Sequence, residues 1–146
     1  MNANVSTTEQ TRVVANAWFD ALTHGRYEEA LACLDPNVEW INYKVLPGYN
    51  DAMPWIGTVH GPAAVVASLQ VFTGVCSVEK EELVKLAVDG EEAAGVIHEF
   101  SRVKATGLPF EIEFIQWLTV RNGKIVRWKS YTDPSPILKA IKGDAS

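Results

Sequence analysis

The stretch that decides the fold is Phe110–Asp133, FEIEFIQWLTVRNGKIVRWKSYTD. Two β-rich runs flank Asn122-Gly123, the dipeptide best suited to the positive φ angles of a tight hairpin turn. In the first run Phe110, Ile112, Phe114, Gln116 and Leu118 share one face, while Ile115 and Trp117 occupy the other. An antiparallel strand in a small monomer normally keeps one wet face. Apolar residues on both faces therefore imply helices and a pocket on one side, and a partner subunit on the other.

Upstream, the chain supplies the elements that would cover such a sheet. Ser6-Thr7-Thr8-Glu9 fits a capping box, and Val13, Val14, Ala17, Trp18, Ala21 and Leu22 follow at helical spacing. Gly25 is placed as the left-handed stop. A second helix is predicted over Tyr27–Leu34, ending at Asp35-Pro36 because proline cannot continue the hydrogen-bond ladder. Val38–Asn42 reads as a short strand. Gly61-Pro62 opens a third helix, with proline where its missing N–H costs nothing, and Gly74 ends it. Four strands follow, over about Ser77–Val88, Glu92–Lys104, Phe110–Arg121 and Lys124–Thr132, with a closing helical turn over Ile137–Ile141. Residues 43–60 contain three turn-prone spots and read as a long loop, of the length typical of lids and binding loops. Tyr43, Tyr49, Trp55 and His60 belong to it as a candidate mouth.

Length and composition bound the problem. A chain of 146 residues predicts one domain over 1–146, with an ordered core of about 6–142 and frayed ends at 1–5 and 143–146. At this size a chain buries roughly 70% of its unfolded surface and needs no metal or disulfide to hold together. Net charge is −5 and the basic residues are scattered, so no nucleic-acid stripe is present. No apolar run is long enough to span a membrane, and MNANVSTTEQ is not a signal peptide, which together predict a cytoplasmic protein. Cys33 and Cys76 lack CxxC spacing and read as reduced, buried thiols. His24, His60 and His98 show no metal-binding spacing, and GxGxxG, P-loop and GxSxG motifs are absent, so no cofactor is expected.

Helices gathered on one side of an antiparallel sheet make an α+β fold. The predicted form is a cone-shaped roll: a strongly curved antiparallel (mixed) sheet, three N-terminal-side helices across its concave face, and a ligand cavity between them. That order, with DPNVEW at 35–40, the Gly61-Pro62 helix start and NGKIVRWKSYTD at 122–133, resembles the nuclear-transport-factor-2-like superfamily over roughly residues 8–141. The nearest branches are the SnoaL-like polyketide cyclases, ketosteroid isomerase and limonene-1,2-epoxide hydrolase. Position by position the resemblance is partial. Where ketosteroid isomerase holds a Tyr and two Asp residues, this chain has Trp18, Trp40 and, near the last position, Gln116. The Tyr-x-Asn pair of the epoxide hydrolase becomes Trp40-Ile41-Asn42. Its Arg-x-Asp pair falls near His98 and Phe100, and its last Asp on Ser130. The cavity His of some SnoaL-like cyclases is matched by His98, while the neighbouring acid falls near Ile112, between Glu111 and Glu113.

Strand alternation places Trp40, Asn42, His98, Phe100, Phe114, Gln116, Trp128 and Ser130 on the concave face, unless a bulge flips part of the set. His98, at the centre of VIHEF, is the candidate acid or base, with a buried, singly hydrogen-bonded histidine as the alternative. Glu99 takes that place if the register shifts by one. Asn42 and Gln116 are candidates to orient a reacting oxygen or water. Trp18, Trp40, Trp55, Phe100, Phe114, Trp128 and Ser130 are candidates to hold the guest. The resulting expectation is a cofactor-independent acid–base enzyme of isomerase, cyclase, dehydratase or epoxide-hydrolase type. It acts on a compact apolar metabolite and forms a homodimer through the outer sheet face at Ile115 and Trp117. The competing expectation is a non-catalytic small-molecule binder or dimeric association module of the same fold.

Overall fold

The structure, a computed structural model, describes residues 6–143; the predicted fraying at 1–5 and 143–146 falls, Gly143 apart, outside the described residues. Ten elements follow in order: α1 (Thr7–Thr23), α2 (Tyr27–Leu31), β1 (Leu34–Asn42), β2 (Gly57–His60), α3 (Pro62–Val75), β3 (Cys76–Asp89), β4 (Glu92–Val103), β5 (Pro109–Arg121), β6 (Lys124–Tyr131) and α4 (Ser135–Lys142). The six strands form one sheet in the order β2-β1-β6-β5-β4-β3. All pairs are antiparallel except β1 and β6, which makes the sheet mixed. This is the α+β architecture that the sequence predicts.

Local chemistry sets the boundaries. Ser6 Oγ accepts a hydrogen bond from the Glu9 N–H at 3.2 Å and starts α1, satisfying one of the helix's orphan donors. Gly25, with φ of 73°, turns the chain out of it. At the β5–β6 hairpin, Asn122 and Gly123 carry φ of 52° and 75°, the left-handed pair that a two-residue turn requires.

Three elements depart from the sequence reading. α2 is shorter than predicted, and Asp35-Pro36 lies inside β1 rather than behind a helix. The ladder to β6 skips from Leu34 to Glu39, so Pro36 occupies a stretch where its missing N–H breaks no pairing. The expected loop of residues 43–60 contains β2, a four-residue edge strand paired with β1. The rest of that segment is pinned rather than loose. Asn50 accepts from the Leu46 N–H at 2.7 Å and donates to the Lys44 carbonyl at 2.9 Å, while Met53 and Trp55 are buried.

Two register shifts in β3, between Val78 and Lys80 and between Leu83 and Lys85, bend the sheet around the helices, as bulges do. The main core sets Ala15, Trp18 and Phe19 of α1 against Ile97, Leu118, Ile125 and Trp128. Gly95 makes this approach possible, because a Cβ there would collide with the Phe19 ring. A second core joins Met53, Trp55, Phe110, Ile112, Ile137 and Leu138 at the other end. On the convex face Ile115, Trp117 and Tyr131 remain 36%, 38% and 46% exposed.

Candidate active site

The concave side encloses a cavity of about 410 Å³. Each layer contributes wall. Trp18 and Leu22 come from α1, Leu69 and Phe72 from α3, and Ile137 from α4, with Tyr43 and Trp55 from the segment between β1 and β2. The sheet supplies Trp40 and Asn42, Glu81, Glu99, Phe114 and Gln116, and Trp128 and Ser130. Apolar and aromatic groups dominate, and a few polar groups converge among them, which is the usual make-up of a ligand site.

Gln116 organises the aromatic end. It is 4% exposed, and its Oε1 accepts hydrogen bonds from the indole N–H of Trp18 at 2.8 Å and of Trp128 at 2.9 Å. Both indoles can only donate, so they fix which end of the amide is oxygen. The donor end is what Gln116 can offer to a guest. Trp40 stacks on Trp128 with centroids 3.7 Å apart and planes 4° from parallel, and meets Trp18 edge-on at 5.9 Å. Its own indole nitrogen is buried without a partner.

The reactive end is a pair of carboxyls. Glu81 and Glu99 face each other across β3 and β4, and their side chains are hydrogen-bonded. Ser101 Oγ donates to Glu99 Oε2 at 2.6 Å. Burial pushes the Glu81 carboxyl up to about 8, and the nearby Glu99 charge adds to the effect. Burial also raises Glu99, against the hydrogen bonds from Ser101 and Glu81 that favour its ionised form. Two acids in contact cannot both ionise at low cost, so near neutrality Glu81 keeps a proton and donates it to Glu99. Tyr43, at φ of 59° just past β1, shares a hydrogen bond with Ser130. Burial foremost, then the charges of Glu99 and Asp133, hold its phenol protonated far above the usual range. A left-handed tyrosine at a cavity wall is a strained position of the kind that collects at functional sites.

Of the residues singled out in the sequence, Asn42, Gln116, Trp18, Trp40, Trp55, Phe114, Trp128 and Ser130 all line the cavity. His98 and Phe100 do not, and their concave placement is corrected here. Register gives the reason. Gln116 pairs with Gly95 and Phe114 with Ile97, so the odd-numbered residues of β4 share the inner face with the even-numbered residues of β5. His98 pairs with Glu113 on the convex side. Its Nε2 lies 2.7 Å from Glu111 and its Nδ1 3.5 Å from Glu82. Glu99 takes the inner place, and Glu111 and Glu113 point away.

Glu81 escaped the sequence reading, because it sits in the acidic run EKEEL, and the two shifts in β3 hide which of those residues turn inward. For β4 a signal was present. Val103 is apolar while its neighbours Arg102 and Lys104 are charged, which marks the odd positions as the inner set. His60 lies in β2, and Tyr49 is exposed. Both cysteines are free thiols; burial raises Cys33 and pushes Cys76 up to about 11, so neither is an activated nucleophile.

An α+β roll with an apolar cavity over a few convergent polar groups defines the class of fold. The chain belongs to the SnoaL-like domain family, whose model matches residues 15–128. Among solved structures it is similar to a nuclear-transport-factor-2-like protein from Burkholderia xenovorans LB400. The two are 26% identical with a TM-score of 0.74, over 92% of this chain and 97% of that one. It also resembles a protein from Rhodopseudomonas palustris whose name proposes an isomerase, at 19% identity and a TM-score of 0.69, over 88% and 93% of the two chains. A third similar structure, from Mesorhizobium loti, is named as a proposed SnoaL-like polyketide cyclase, at 20% identity and a TM-score of 0.69, over 82% and 97%. No curated protein matches the chain. No helix among the described residues is long and apolar enough to cross a membrane.

Proposed function

We propose that this protein is a cofactor-independent acid–base enzyme that isomerises, cyclises, dehydrates or hydrolyses a compact apolar molecule inside the cavity. The observation that carries this reading is the Glu81–Glu99 pair in the wall of an otherwise aromatic cavity. A buried carboxyl that holds its proton near neutrality can deliver it to a substrate oxygen, and its ionised neighbour can take one back. Ser101 holds Glu99 in place, so Ser101 is a positioning residue. The Gln116 amide and Asn42 offer donors to the reacting oxygen. The stacked tryptophans give the cavity a flat apolar wall. His98, on the far side of the sheet, has no part in the chemistry.

The test is a panel of compact cyclic epoxides, enones and β-hydroxy ketones in D2O, followed by NMR for ring opening, elimination or deuterium uptake. Glu99→Gln is expected to lower turnover by about 10²–10⁴-fold, the range for a lost general acid or base. Its near-UV circular dichroism should stay native. His98→Ala should turn over within about twofold of the parent. Full turnover by Glu99→Gln, or a loss confined to His98→Ala, overturns the assignment. Uptake of the same compounds with no turnover at all would make the protein a binding module instead.

A further inference from the structure

The walls of the cavity restrict the charge of its guest. No Lys, Arg or His lines it among the described residues, and the two ionisable acids that do, Glu81 and Glu99, come from adjacent strands and touch. The other titratable groups that sense Glu99 are Tyr43 at the end of β1 and Cys76 at the head of β3, and neither brings positive charge. Asp133, near Tyr43, adds negative charge, and Lys104, near Cys76, is not part of the lining. An anionic guest would meet like charge among apolar walls, where that repulsion is weakened less than in bulk water. A neutral guest gains nothing from the pair's charge. A positive guest gains from the acids and also from indole rings, whose faces attract cations most strongly when water is excluded.

Building on the acid–base reading, we propose that the cavity selects a compact organic cation, an alkylated ammonium with an apolar body, or a substrate whose transition state becomes positively charged. That charge pairs with the ionised member of the Glu81–Glu99 pair while the other keeps its proton, so the guest neutralises the site and the acid remains available. The same electrostatics favour acid-assisted opening or loss of water, in which carbon becomes electron-poor.

Three probes of similar size separate the possibilities: benzyltrimethylammonium, its neutral isostere neopentylbenzene, and benzenesulfonate. Binding is read by tryptophan fluorescence. The cation is expected to bind at least about tenfold tighter than the isostere at pH 7. Glu99→Gln, which removes the pair's ionised carboxylate, should bring the cation to within about twofold of the isostere. If that variant fails to fold, the three-probe comparison on the parent protein still decides the matter. Equal or tighter binding of the isostere overturns the proposal. It would leave the acid–base reading intact, because that reading stands or falls on turnover by Glu99→Gln.

Discussion

Replacing Glu81 with Gln should stabilise the protein at neutral and alkaline pH while leaving it nearly unchanged at pH 5. A carboxyl whose folded pKa lies above its unfolded value binds protons more tightly when folded. Folding is then favoured where the group is protonated in both states, and stability is lost as pH rises from the unfolded value towards the folded one. For Glu81 that window runs from 4.5 to about 8. At about 1.36 kcal/mol for each tenfold change in proton affinity, the full effect is about 5 kcal/mol. Glu81 is only partly buried and the ionised pair can admit water, so about 2–5 kcal/mol is the expected decline across the window. The hydrogen bond to Glu99 would survive in the variant, since the new amide NH2 can donate to the Glu99 carboxylate as the protonated acid does. The assay is urea unfolding of parent and variant at pH 5, 6, 7 and 8, because the difference between the two cancels the titrating groups outside the Glu81–Glu99 pair. The parent curve should fall relative to the variant with rising pH and level off above pH 8. Parallel curves, or a gap that opens towards acid, would refute a shared buried proton.

Gln116→Leu removes the acceptor shared by the Trp18 and Trp128 indoles, and each buried N–H left unpaired costs about 1–3 kcal/mol, so a loss of about 2–4 kcal/mol is expected by urea unfolding, with a shift in tryptophan emission. Trp117→Glu places a charge on the convex strip of Ile115, Trp117 and Tyr131; sedimentation should show a dimer for the parent and a monomer for the variant, and a monomeric parent would remove this face as the contact between two copies.

The sequence makes the outline of this fold legible because its signals are local. A capping serine, a left-handed Gly25 and the Asn122-Gly123 turn each act over three or four residues, and each holds in the structure. What fails depends on counting across a gap. Whether His98 or Glu99 turns inward is set by the chain linking β4 to β5, and a change of one residue there would exchange the two faces. The same holds inside β3, where two irregularities reset the alternation and bring Glu81 under the helices from within a run that reads as a solvated edge. β2 was hidden for another reason: four residues are too few to show a period, and their strand character comes from β1 beside them. The aromatic half of the cavity is readable because Trp40 and Trp128 face each other in a stretch of the β1–β6 ladder beyond its one shift, and Gln116 and Phe114 alternate on one unbroken strand. The acidic half was not.

The parallel pairing of β1 with β6 has a consequence for how the molecule comes into being. Leu34 meets Ile125 and Trp40 meets Trp128, so the wall of the cavity joins chain from near the start to chain from near the end. During synthesis, β1 has only the short β2 as a neighbour until Lys124–Tyr131 has left the ribosome. Closing so long a loop is slow, and contacts of this separation mark proteins that fold slowly. Trp40 must wait, exposed, for Trp128, and an appended sequence that delays release of the C-terminus would lengthen the interval in which β1 offers its open edge to other chains.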